Sequence, residues 1–488
     1  MTVKAYTPKV KVTMFKNVRR DEAGVSKRYR GAGSTVDLTP HMGEHGGVTT
    51  SKSIYAPMGQ WQLTLADQRD SQTQDTLYAL AEPMDSIEIR MAREPHKYAG
   101  EMPIVMRGFV SRVRRTETMG PDGRPQRQVV IEGGDYGLAF ARVRLTWLQA
   151  AGSGAALASL AHLQAVGLSF QAWPAGDFVR DVVGFVVNPW LNEFFERSVS
   201  NPTGQSVAPV SRSLGVDVSV TEGTVNPYGI EPFDRPIWDW LVTHCDLAWN
   251  ELFVEDRDAG PVVVYRPMPF KDINGDWIKQ GKSKVGTDMI DVKDDAVVSL
   301  DVSRSDANIA NLYWANPDAV ALVSSGKLKA AAFSEGALED HSPNSAAELY
   351  GSRLMTVPMA QGPTGLGRAS SLPKAEQEAY AVAYGDWATA RREALKAFNR
   401  DNVALEDVSM TLRGDERVKP GRYIRLARGD LKSSFYVHAV THEFRPFHGF
   451  TTSVQGIRGT GLIERARTQS SPYNPESKAG AYDGAGRG

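Results

Sequence analysis

Apolar residues recur at every second position in several separate stretches of the N-terminal third. Val10, Val12 and Met14 alternate with polar neighbours, as do Trp61, Leu63 and Leu65, and again Ile87, Ile89 and Met91. A period of two sends alternate side chains to opposite faces, so each stretch reads as a strand with one buried face. Two longer runs, 104–116 and 126–132, flank Gly120-Pro121-Asp122-Gly123, a cluster that supplies the positive and fixed φ values of a turn. That is a β-hairpin. Short strands with glycine-rich turns across residues 1–145 predict a barrel or sandwich.

The pattern changes after this region. Residues 155–165 are rich in alanine and leucine and predict a helix. Residues 176–197 contain Pro189 and predict two short helices or one kinked helix. Residues 198–234 read as a long connection with one short strand at 216–220. Pro236 opens a helix in which Ile237, Trp238, Leu241, Val242 and Cys245 fall at spacings of three and four. A hairpin follows, with strands at 250–255 and 262–265. Residues 296–302 alternate again, 345–354 and 374–398 read as helices, and strands return over 408–459. The final stretch from Arg465 is rich in Gly, Ser and Pro and is expected to be mobile on its own. The fold class expected is α+β and β-rich: two related antiparallel β-barrel domains with helical and mixed α/β insertions between them. The divisions are 1–145, 146–235, 236–400 and 401–464, the last completed by 285–315, with a tail at 465–488.

One internal similarity bears on that division. Phe109-Val110-Ser111-Arg112-Val113, then Val129-Val130-Ile131-Glu132-Gly133, resembles Tyr436-Val437-His438-Ala439-Val440, then Thr452-Ser453-Val454-Gln455-Gly456. Hairpins look alike in general, so the alternative is a coincidence of β-pattern. The other reading is two related barrels, with Phe109, Val110, Val113, Ile131, Tyr436, Val437, Val440 and Val454 as candidate core-strand residues.

Charge narrows the function. The chain carries 56 Lys and Arg against 57 Asp and Glu, which gives no long-range attraction to nucleic acid or an acidic membrane. Cys245 is the one cysteine, so no internal disulfide can form, and its apolar setting predicts an inert buried thiol. Residues 1–16 lack the apolar run of a signal peptide, and no apolar stretch reaches the ~20 residues of a spanning helix. The expectation is a soluble protein made in the cytoplasm without membrane insertion.

No catalytic signature holds. Gly275 to Gly281-Lys282-Ser283 has one residue too many for a phosphate-binding loop. Gly362, Gly365 and Gly367 reverse the dinucleotide fingerprint. Ser371-Leu372-Pro373-Lys374 has a serine–lysine spacing without its companion motifs, and reads as a helix cap with Glu376 in the first turn. His438 and His442 lie about 13 Å apart on a strand at ~3.3 Å per residue, too far to share a metal, although His448 could approach across the hairpin. Asp291, Asp294, Asp295 and Asp301 form an acidic run in which nothing singles out a pair. Arg107, Arg112, Arg114 and Arg115 make a basic strand that could line a channel, meet an acidic partner or simply face solvent. No catalytic, cofactor-binding or metal-ligating residue is assigned.

The C-terminal third carries a specific pattern. Arg413-Gly414, Val418-Lys419-Pro420-Gly421-Arg422-Tyr423-Ile424, Ser434 through Phe444, Gly449-Phe450-Thr451-Thr452-Ser453-Val454 and Arg458-Gly459 resemble the final barrel of bacteriophage baseplate-hub proteins, the family of contractile-tail hubs and late control proteins. Trp238, Trp240, residues 250–267 and Ser303-Arg304-Ser305-Asp306 before Asn311 resemble its middle domain. The resemblance covers more than half of the chain and weakens over 146–235. It implies a homotrimer in the virion tail, each subunit carrying two related barrels, so that six similar barrels join a sixfold tail tube to a threefold central spike and line the DNA channel. The partners implied are the tube and spike proteins, with the tape measure and other baseplate proteins as further candidates. The competing classes are a tail-associated cell-wall hydrolase and a receptor- or carbohydrate-binding tail protein.

Overall fold

The computed structural model describes residues 7–17, 35–69, 76–119, 123, 125–146, 173–196, 211–225, 234–271, 276–303, 305–307, 309–317, 338–339, 347–363, 374–399, 407–428 and 431–457. The helix expected at 155–165, Ser371, Gly365, Gly367 and the tail from Arg465 lie outside them.

The N-terminal alternation folds as read. Strands β1 (Lys9–Phe15), β2 (Thr35–Asp37), β3 (Gly47–Ser53), β4 (Gln60–Ala66), β5 (Ser86–Ala92), β6 (Ile104–Met119) and β7 (Pro125–Asp135) form one antiparallel sheet in the order β3-β4-β7-β6-β5-β1-β2. Val12, Met14, Trp61, Leu63, Leu65, Ile87, Ile89, Met91, Val110 and Ile131 share its core. Each such side chain contributes about 1.5–3 kcal/mol on burial.

After helix α1 (Leu138–Arg142) comes an inserted layer. Helix α2 (Ala175–Val182) runs through a wide π-type turn at Val183–Val187 into α3 (Asn188–Glu196), so the two-helix expectation around Pro189 resolves into one irregular rod. A short strand β8 (Gly215–Val218) runs parallel to the second arm of a hairpin formed by β9 (Asn250–Arg257) and β10 (Gly260–Pro267), with α4 (Ile237–His244) ahead of it. The helix expected over 345–354 is one turn, Ala347–Tyr350. Leu354 instead opens β14 (Leu354–Met359), which pairs in parallel with β13 (Leu312–Pro317). Alternating burial along Leu354–Met359, against a neighbouring strand, overrides the local helical propensity. Helix α5 (Lys374–Asn399) packs over this region.

The second sheet unit comprises β11 (Met289–Val292), β12 (Val297–Ser303), β15 (Asp407–Arg413), β16 (Tyr423–Arg428), β17 (Leu431–Arg445) and β18 (Gly449–Ile457). Its order β12-β15-β18-β17-β16 repeats β3-β4-β7-β6-β5, with every neighbouring pair antiparallel in both. The register agrees as well. Val110 stands opposite Gly133 and Val113 opposite Ile131, with a bulge at Ser111; Val437 stands opposite Gly456 and Val440 opposite Val454, with a bulge at His438. The repeat departs at the next position outward, where β1 lies antiparallel to β5 but β11 lies parallel to β16.

Two separate closed barrels were expected. The described strands instead form one open sheet of 13 strands, without a closed barrel among them, in which β16 and β11 branch from β17, because β3 of the first unit pairs with β17 of the second from Val48–Phe444 to Ser53–Ala439. An edge strand's unpaired N–H and C=O groups must be met somewhere. Here β3 meets them in the other unit.

The two glycines at matching positions differ in tolerance. A Cβ on Gly133 would lie 2.1 Å from the Phe109 carbonyl oxygen and 2.2 Å from the Trp61 ring, whereas one on Gly456 would lie 3.0 Å from the Tyr436 oxygen and from Val408. Gly133→Ala should lower unfolding stability by about 2–3 kcal/mol and Gly456→Ala by under about 1 kcal/mol, read from denaturant midpoints.

Candidate functional site

The densest set of buried charges lies where the β9–β10 hairpin wedges between the two sheet units. Lys52, on β3, reaches Asp135 at 2.9 Å and Asp256 at 2.5 Å; the lysine side chain is 14% exposed and the carboxylates 1% and 2%. Lys52 thus ties the first unit's edge to the end of β7 and to the hairpin. Burial alone would lower its pKa, but the two carboxylates overcome this and raise it well above the lysine range, so the ammonium stays charged. Lys419 Nζ donates to the Asp256 carbonyl at 2.9 Å, and Arg422 pairs with Glu255 at 2.6 Å, fixing the second unit to the same strand.

Both ends of the hairpin are held. Arg107 pairs with Glu88 at 3.1 Å inside the first unit and donates to the Arg257 and Asp258 carbonyls at 2.8 and 3.2 Å. At the base, Arg266 pairs with Glu251 at 2.9 Å and donates to the Gly421 carbonyl at 2.5 Å, while the Tyr436 hydroxyl donates to Glu251. A second seam joins the units directly: the Tyr98 hydroxyl donates to Glu416 at 2.6 Å, and the Arg93 N–H donates to the same carboxylate at 3.1 Å.

His442 sits at the seam opposite Thr50, its Nδ1 2.9 Å from Thr452 Oγ1. Burial lowers its pKa to about 4, against the opposing pull of Asp415.

The candidate strand residues fall on two faces. Val110 and Ile131 lie in the core of the first unit, with Val113 half-buried against it, and Val437, Val440 and Val454 lie in the core of the second. Phe109 and Tyr436 are fully buried on the opposite face, against the inserted layer. Phe109 packs on Tyr136, Phe194 and Phe195, and Tyr436 on Phe270 and Tyr423. Equivalent aromatics therefore perform the same task, holding the middle region to each unit.

The other candidates are scattered. Cys245 is buried, which pushes its thiol pKa up. Of the arginine strand, Arg107 is buried in the junction, while Arg112, Arg114 and Arg115 are exposed. Asp291 pairs with Arg425 at 2.6 and 3.0 Å, and Asp294, Asp295 and Asp301 are exposed. His438 is half-buried and His448 exposed. No cluster of three or more metal-ligating side chains occurs among the described residues, and no helix among them is long and apolar enough to cross a membrane. The junction carboxylates Asp135, Glu251, Glu255 and Asp256 escaped sequence reading. Their one signal was an unusual charge density on apolar strands.

No family model matches the chain, and no curated protein does. Solved structures do. Over 93% of its length the chain is similar to the tail protein from Neisseria meningitidis MC58, at 10% identity, TM-score 0.49 and 97% of that chain. It is similar over 93% to the 43 kDa tail protein of prophage MuSo2 from Shewanella oneidensis, at 11% identity, TM-score 0.44 and 98% of that chain. It is similar over 98% to prophage tail protein gp18 from Listeria monocytogenes EGD-e, at 10% identity, TM-score 0.41 and 100% of that chain.

Two predictions follow from the junction. Lys52→Met leaves two buried carboxylates unpaired and should cost about 3–5 kcal/mol at neutral pH, with partial recovery when Asp135→Asn and Asp256→Asn are added, measured by denaturant unfolding. His442 stays neutral in the fold down to about pH 4, whereas in the unfolded chain it protonates below its ordinary 6.5. Its contribution is therefore present above pH 6.5 and lost as pH falls towards 4, by up to about 3 kcal/mol. Asp246, raised by burial to about 6, acts with the opposite sign. The check is the stability difference between the wild type and His442→Gln across pH 4–7, in which Asp246 cancels; the variant should gain relative to the wild type as pH falls.

Proposed function

We propose that the chain is a structural hub of a phage tail baseplate, a trimeric adaptor between a sixfold tail tube and a threefold central spike. The observation that carries this reading is the repeated sheet order with its shared bulge and register. A trimer offers three copies of any single surface, but a chain with two like units offers six. The two units then act as related barrels, completed in the assembly, that present equivalent faces to the tube protein and line a channel for the passing DNA. The spike protein, the tape measure and other baseplate proteins are the further partners, and the site of action is the tail tip of the virion. The C-terminal motif that resembles baseplate hubs falls on β15 to β18, inside the second unit, which ties the sequence resemblance to the repeated element.

A structural role also fits the chemistry of the junction, where Glu251, Glu255 and Asp256 of the hairpin are each engaged by a cation or hydroxyl of a sheet unit. The experiment is a solution mass measurement on the purified chain, alone and with its spike partner, beside incubation with purified peptidoglycan. A trimer and no release of peptidoglycan fragments above a heat-inactivated control are expected. A persistent monomer in both preparations, or release abolished by changing one or two carboxylates, would overturn the proposal.

A further inference from the structure

The internal repeat makes a specific demand on two free strand edges. In the second unit the first half of β17 borders β16, and its second half borders β3 through the Ala439–Ser53 to Phe444–Val48 pairs. In the first unit β6 occupies the place of β17. Its first half borders β5, but residues 112–119 have no strand on that side among the described residues. Likewise β12 occupies the place of β3: it pairs with β15 on one side and, among the described residues, ends the sheet on the other.

We infer that β12 of one subunit pairs antiparallel with residues 112–119 of β6 in the next, reproducing between chains the β3–β17 pairing found within each chain. The inference rests on the trimeric reading and names its interface. The partner is a second copy of this chain, because the edge that would complete β6 is the strand equivalent to β3, and that strand is β12. The contact is head-to-tail, so three copies can close into a ring in which intrachain and interchain seams alternate.

The register follows from the repeat. Thr50 faces Trp61 as Val302 faces Val408, and Trp61 and Val408 stand opposite Gly133 and Gly456. Carrying the β3–β17 register across sets Ser303 opposite Arg114, Asp301 opposite Thr116 and diagonal to Arg114, and Leu300 opposite Glu117; continued two residues further, to the bulge of β12, the strands bring Val298 beside Met119. Two features of the free edges agree. Val298 is 59% and Met119 71% exposed, both among the exposed large apolar side chains, and the pairing would cover them together. Exposed Arg114 gains an acidic neighbour in exposed Asp301, a cross-strand diagonal that favours opposite charges. On the core face, Leu300 and Val302 are half-buried where their counterparts Val48 and Thr50 are fully buried beneath β17, as an edge lacking its neighbour would be.

The test is disulfide trapping. The Ile54 N–H donates to the His438 carbonyl at 3.0 Å, which makes Ser51–Thr441 a closely approaching, non-hydrogen-bonded pair. Its interchain counterpart is Ser303 with Arg114, and the one native cysteine, Cys245, is buried. A chain carrying Arg114→Cys and Ser303→Cys should oxidise to covalent trimers on a non-reducing gel. A chain with Arg115→Cys and Ser303→Cys, whose thiols point to opposite faces, should not. In parallel, hydrogen exchange on the unmodified trimer should show slow exchange for the amides of 112–119 and Val297–Ser303 that point to the outer edges. A trimer by mass with no cross-link and fast exchange at those amides overturns the pairing while leaving the trimer intact. A chain that stays monomeric with its spike overturns the trimeric reading and this interface with it.

Discussion

The arrangement depends on one antiparallel strand pair, β3 with β17. It joins residues almost four hundred positions apart in sequence and turns two sheets into one. Strand edges are costly to leave unpaired, and a sheet that does not close on itself must find a partner or be blunted. Here the first unit's edge is spent on the second unit. The choice fixes the angle between the units, brings Lys52 to the hairpin carboxylates, and buries His442 opposite Thr50. Phe450 of the second unit accordingly packs into the core of the first.

The β9–β10 hairpin stabilises that choice by an unusual route. It presents Asp256 to Lys52 of the first unit and Glu255 to Arg422 of the second, and holds Glu251 between its own Arg266 and the Tyr436 hydroxyl of the second unit. Buried ion pairs recover little net free energy, since desolvation offsets most of the attraction, but an unmatched charge there costs several kcal/mol. The network therefore penalises misdocking more than it rewards docking. Any shift of one unit would strand a carboxylate in a dry environment. That property suits a part whose two halves must stay in fixed relation under load.

Equivalence between the units is strongest along the hairpins and weakest at the periphery. The bulges at Ser111 and His438 twist β6 and β17 alike, and each long strand leaves its first neighbour partway along: β17 passes from β16 to β3, and β6 leaves β5. Phe109 and Tyr436, one position before each bulge-bearing valine pair, both turn outward to grip the inserted layer. The two units diverge in the β1 and β11 positions, which border the equivalent strands β5 and β16 in opposite directions. Divergence at the outer strands and retention along the long hairpins is the pattern expected if the hairpins carry the repeated contacts.

The sequence by itself determined the strands, their buried faces and the likeness of the two hairpins, because period-two alternation, turn glycines and β-branched residues act over a few neighbours. It set even the matching register of Val110 with Gly133 and Val437 with Gly456. Over 345–354 the helix is limited to the turn Ala347–Tyr350, and a parallel neighbour takes Leu354 into a strand. Closure into separate barrels is not found among the described strands, and the sequence could not decide it, since an edge looks the same in sequence whether it closes, stays open or pairs elsewhere. The junction was invisible for a related reason. Lys52, Asp135, Asp256 and Arg422 are ordinary surface-type residues until the fold brings four distant segments together, and only the tertiary structure, by removing water from around them, makes their charges depend on one another.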